Sequence, residues 1–146
     1  MLFAAVALAV VLLDRLTKQL VETVIPLNTE VTAIDHVLWI QHLENSCAAF
    51  SACLASNGVF LIISILVAFA LIAYEWTRTG TGPMDTVLGL ILGGTLGNGY
   101  DRLFHGTVTD FIALHWWPTF NVADSAIVCG VVLLAAGYVF RRRPGT

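Results

Sequence analysis

Three aspartates, Asp101, Asp110 and Asp124, fall in one 32-residue stretch, GGTLGNGYDRLFHGTVTDFIALHWWPTFNVAD, spanning residues 93–124. The same stretch holds Arg102, the asparagines Asn98 and Asn121, and two histidines, in a chain that is otherwise mostly hydrocarbon-like. Ionisable groups in or beside apolar membrane segments are costly and mark function. Asp110 and Asp124 stand at the two ends of an aromatic, proline-containing connection. Two carboxylates brought together cannot easily both ionise, so one serves as acid and the other as base near neutrality. One can deprotonate a water while the other polarises or protonates a carbonyl. That suffices for amide hydrolysis with no covalent intermediate and no metal. Taken alone, each has a plain structural reading: Asp110 as a loop residue, Asp124 as a capping carboxylate.

Other chemistries fit less well. The serines near the polar stretches show no nucleophile elbow. The four histidines (His36, His42, His105, His115) are scattered, without HExxH or another compact ligand spacing. The three cysteines (Cys47, Cys53, Cys129) lack metal-ligand spacing, and Cys129 reads as a small hydrophobe in an apolar run. Cofactor and metal are therefore both expected to be none. No basic patch of nucleic-acid type is present; the basic cluster is Arg141 to Arg143.

The elements that must hold these residues follow from composition. Of 146 residues, 58% are hydrophobic and 12% charged. Soluble domains average about 25% charged residues, so the chain reads as an integral membrane protein. Its length accommodates about four helices of roughly 20 residues. The expected fold is an all-α membrane protein with four transmembrane helices and a small extracytoplasmic β segment between the first two, in a single domain over 1–146. The helices are expected at about 2–24, 59–76, 84–104 and 121–140, with the outer β segment at about 27–57. The opening apolar run lacks a preceding cation and a following small-x-small site, which argues against a cleaved leader.

Within the first helix, Asp14 and Lys18 are i,i+4 and share a face. They point either into the bundle or, snorkelling, to the interface. Gly89, Gly93 and Gly97 form a row of small residues that admits another helix closely. Asp101 and Arg102, adjacent charges, are expected to tie the third helix to the outer domain. Asn121 is a plausible N-cap with Asp124 in the first turn, where the helix dipole favours a carboxylate. Arg141 to Arg143, with Arg78 in the second connection, put both termini in the cytoplasm and both polar clusters outside.

The order DRLTK, NSCAAF, GGTLGNGYDR, VTDFI and FNVADSAI resembles lipoprotein signal peptidase (signal peptidase II), a family of bacterial inner-membrane aspartyl peptidases. The likeness covers residues 14–127. It implies a β-cradle after helix 1 and a catalytic dyad of Asp110 and Asp124. Asn98, Asp101, Arg102, Asn121, Asp14 and Lys18 match supporting polar positions, and Asn45 matches the cradle asparagine lining the groove. The implied reaction removes the signal peptide from a diacylglyceryl prolipoprotein just before its lipidated cysteine. The implied partners are that substrate, membrane lipids and cyclic lipopeptide inhibitors of the globomycin type. One departure concerns the groove: Cys47 stands where the family usually has glycine. The alternatives are a non-catalytic lipopeptide-binding paralogue and a membrane proton or ion relay.

Overall fold

A computed structural model describes residues 1–46, 56–78 and 82–141. Four helices dominate: α1 (Leu2–Val24), α2 (Asn57–Thr77), α3 (Pro83–Phe104) and α4 (Val122–Arg141). Their limits fall within two residues of the sequence expectation. Pro26 follows the end of α1, and Pro83 opens α3 at a position where its missing N–H costs nothing.

α3 is the central helix, packed on α1, α4 and α2. The glycine row explains the closeness. A Cβ on Gly93 would lie 2.6 Å from Val10 Cβ, and one on Gly94 would lie 2.3 Å from the Ala123 carbonyl oxygen. Gly89, Gly93 and Gly97 face α1, whereas Gly94 faces α4. Small residues thus let two backbones meet α3 from different sides.

α2 and residues 122–140 of α4 are long and apolar enough to cross a membrane. α1 and α3 carry charges within their length, and Asp14, Lys18, Asp85 and Asp101 are among the largest fully buried side chains of the described residues. Around them the outward surface is apolar, with Leu8, Leu12, Leu16 and Leu20 of α1 all more than half exposed. Such inversion, polar inside and hydrocarbon outside, suits a lipid solvent.

The β structure is larger than the sequence suggests. A four-stranded antiparallel sheet has the order β1 (Glu30–Ile34), β2 (Leu38–Asn45), β3 (Val108–Leu114), β4 (Trp117–Phe120). The first hairpin comes from the α1–α2 connection, as expected. The second lies in residues 105–120, which the sequence reads as a loop. Its strands are short and its aromatics unevenly spaced, so no clean alternation marks it. Pairing with β2 supplies what local pattern does not: Leu43 is opposite Asp110 and Asn45 opposite Val108. The cradle is therefore built from both connections, not from the first alone.

Two local devices aim this sheet. α3 ends where Gly106 adopts φ +79° and returns its N–H to the Asp101 carbonyl at 3.1 Å. This left-handed cap turns the chain directly into β3. At the other side, His42 Nδ1 donates to the Ile25 carbonyl at 2.8 Å, tying β2 to the end of α1.

Candidate active site

Asp110 projects from β3 and is 3% exposed. Both of its oxygens accept amide hydrogens. Asn121 Nδ2 donates to Oδ1 at 2.7 Å, and Asn45 Nδ2 donates to Oδ2 at 2.9 Å. Burial is the main influence on this carboxyl and raises its pKa; Asn45 lowers it, the nearby Asp124 raises it, and the balance is pushed up to about 6.

Asp124 sits in the first turn of α4, and its position is a consequence of capping. The Asn121 side-chain oxygen accepts the Asp124 N–H at 2.9 Å, while the Asn121 N–H donates to Asp124 Oδ2 at 3.3 Å. That is a reciprocal capping box with Asn and Asp in place of the usual Ser and Glu. Asp124 Oδ1 takes a further bond from Asn98 Nδ2 at 2.7 Å. Asn121 is fully buried and holds both aspartates, one by its amide nitrogen and one by its oxygen.

The supporting residues form a second layer beneath. Lys18 Nζ reaches Asp14 Oδ2 at 2.7 Å, Asp101 Oδ2 at 2.6 Å and Asn98 Oδ1 at 3.1 Å. The contacts to the two carboxylates are ion pairs, and that to Asn98 is a hydrogen bond. Asp14 Oδ1 accepts the Ala123 N–H at 2.9 Å, satisfying a donor of the α4 N-terminus from α1. Arg15 closes the cluster on Asp101. Two anions and two cations share this buried site, so it carries no formal excess charge.

The Asp14–Lys18 pair therefore points into the bundle rather than to the interface. Asp101 departs from expectation: it ties α3 to α1, not to the outer sheet, because the α1 cations lie directly against it. Arg102 separates from its neighbour, donating to the Asn98 carbonyl at 3.3 Å and covering the Phe60 ring. Cys47 lies outside the described residues.

Sequence reasoning missed Arg15, which follows Asp14 and so lies on a different helix face from the i,i+4 pair. It also missed Asp85, 1% exposed and paired with Arg78. Glu22, which accepts the Thr109 hydroxyl at 2.7 Å, was missed as well. No spacing rule joins residues 87 apart.

A cavity of about 540 Å³ opens on the site. Asn45, Arg102, Asp110 and Asp124 form its polar end, and residues such as Trp116 and Ile127 form apolar walls. Among the described residues, no group of three His, Cys, Asp or Glu side chains could hold a metal ion.

The chain is similar to known proteins over nearly its full length. The family model described as Signal peptidase (SPase) II matches residues 6–140. A lipoprotein signal peptidase of Syntrophomonas wolfei is 44% identical over 128 residues, covering 87% of this chain and 85% of the relative. One from Geobacillus kaustophilus is 38% identical over 144 residues, covering 95% and 94%. Two solved bacterial membrane enzymes superpose closely. One has a TM-score of 0.89 at 28% identity, covering 99% of this chain and 93% of the other. The second has 0.84 at 30%, covering 93% and 91%. With its buried carboxylates, lipid-suited exterior and matching sequence, the chain belongs to the signal peptidase II family of membrane aspartic peptidases.

Proposed function

We propose that this protein removes signal peptides from lipid-modified prolipoproteins, with Asp110 and Asp124 activating the attacking water. The observation that carries this reading is the single buried Asn121 that donates to both carboxylates, to Asp110 Oδ1 from its side-chain amide and to Asp124 Oδ2 from its main-chain N–H, at the polar end of an apolar-walled cavity. The dyad shares one proton. Burial makes Asp110 the member that retains it, and Asp124, fixed in its cap, takes the proton of the water. Asp110 then protonates the departing amide nitrogen as the tetrahedral intermediate collapses. Asn45 and Asn121 orient Asp110, Asn98 orients Asp124, and Asp14, Lys18 and Asp101 form the platform beneath them. Arg102 at the cavity wall faces the developing negative charge.

The substrate class follows from the family and the cavity. The relatives are lipoprotein signal peptidases. Apolar walls next to a polar end suit a diacylglyceryl-modified cysteine, cut on its N-terminal side. Four membrane-crossing helices in one domain, both termini cytoplasmic and the dyad near the outer face of the bacterial inner membrane complete the reading. Globomycin-type cyclic lipopeptides would occupy the same cavity. The test is cleavage of a purified diacylglyceryl prolipoprotein. Asp110→Asn and Asp124→Asn are each expected to abolish it while the protein stays folded, and a chelator is expected to leave the wild type unaffected. Full activity of Asp110→Asn would overturn the assignment.

A further inference from the structure

Asp110 lies between two residues that turn the other way. Side chains along a strand alternate faces, so Thr109 and Phe111 share the face opposite Asp110. Both meet the end of α1. Phe111 packs with Val21 and Ile25 in a buried apolar cluster. The Thr109 side chain, 7% exposed, donates from its hydroxyl to Glu22 Oε1 at 2.7 Å. The Thr109 carbonyl, on the same residue, accepts from Asn121 Nδ2 at 3.3 Å.

Glu22 is one helical turn beyond Lys18 and on the same face of α1. Lys18 reaches Asp124 through Asn98. Glu22 reaches Thr109, the residue directly before Asp110. From this geometry we infer that Glu22 and Thr109 are positioning residues for peptide cleavage: their hydrogen bond fixes the rotation of β3 and so the aim of Asp110 at its amide donors. The inference rests on Asp110 being a member of the catalytic pair. Apolar packing by Phe111 can slide and rotate; a 2.7 Å hydrogen bond to a carboxylate fixes a direction. A misplacement of about 1 Å in a catalytic group can cost roughly a hundredfold in rate.

The experiment compares Thr109→Val, which keeps shape and removes the hydroxyl, with Thr109→Ser, which restores it. Thr109→Val is expected to lower kcat by roughly ten- to a hundredfold with little change in KM, and Thr109→Ser to recover most of it. Glu22→Ala, a change at an exposed side chain, should reproduce the loss even where Thr109→Val folds poorly. Glu22→Gln keeps an acceptor oxygen and should retain activity. The pH profile gives a readout that a purely structural role would not move. Asn45, Asn121 and Lys18 of α1 lower the Asp110 pKa, Asp124 of α4 raises it, and Arg102 of α3 faces it. Releasing Asp110 from its amide donors shifts the limb that reports it to higher pH. Wild-type kcat and an unmoved limb in Thr109→Val and Glu22→Ala would overturn the inference. So would a loss in Glu22→Gln as large as in Glu22→Ala. If Asp110→Asn is inactive while these variants are normal, the dyad stands and the tether falls. If Asp110→Asn is active, the dyad itself is wrong.

Discussion

Asn121 Nδ2 lies 2.7 Å from Asp110 Oδ1, joining the first residue before α4 to the middle of β3. The same amide group caps α4 through its oxygen. One buried side chain therefore carries both a folding role and an alignment role, and the two can be separated by substitution.

Asn121→Ala removes an N-cap and leaves Asp110 short of a donor. Loss of the cap costs about 1 kcal/mol, and the unmet partners add about 1–3 kcal/mol. Thermal unfolding in detergent should show the destabilisation. Asn121→Asp keeps the cap but faces Asp110 with an acceptor instead of a donor. It should fold better than the alanine variant yet cleave at least as poorly.

Asn45→Ala should alter the pH dependence of cleavage. Asn45 donates to Asp110 Oδ2 and holds its pKa down against burial, leaving it at about 6. Without that donor the pKa rises. Because Asp110 is proposed to act in its protonated form, activity should persist to higher pH than in the wild type. A profile of kcat/KM against pH checks the direction; a shift to lower pH would contradict the proton assignment.

Burial of Asp110 also predicts a stability trend. Its folded pKa of about 6 lies above the ordinary 3.8, so the folded state holds the proton more tightly. The contribution favours folding below about pH 4 and is lost as pH rises through 6, by up to roughly 3 kcal/mol. Subtracting the pH dependence of Asp110→Asn unfolding from that of the wild type should isolate this slope. A difference that grows in favour of the wild type with rising pH would refute it.

Lys18→Met would leave Asp14 and Asp101, both buried, without their shared cation. Breaking one partner from a buried ion group costs about 3–5 kcal/mol. The expected outcome is poor accumulation of folded protein in the membrane. Lys18→Met made together with Asp14→Asn should recover part of the yield, because it neutralises Asp14, which loses its ion-pair partner, while Asp101 keeps Arg15.

Gly94→Ala and Gly93→Ala should differ in kind. A methyl on Gly94 meets the Ala123 carbonyl, between Asn121 and Asp124, whereas one on Gly93 meets Val10. Overpacking of this sort costs about 1–3 kcal/mol in either case. Only the Gly94 change displaces the start of α4, so its kcat should fall further than its stability predicts. Parallel measurement of kcat and melting temperature in both variants decides this.

The four helices were legible in the amino-acid order, because apolar runs bounded by Pro26, Asn57, Pro83 and Asn121 have a local cause. That order also determined that Asp110 and Asp124 were the residues to watch, and that Asn121 would cap α4. Features that depend on distant pairing emerged with the folded arrangement alone. The hairpin at residues 108–120 is legible only beside β2, since a strand's pattern is set by the face it buries. Asp101 could have turned to the sheet or to α1; the closeness of Arg15 and Lys18 settled it. Likewise, nothing in the spacing of Glu22 and Thr109 joins them. Their contact exists because glycines bring α1 against α3 and β3 returns beneath the same helix. Local chemistry marked the candidate acid–base pair, and long-range packing set which way each carboxylate points.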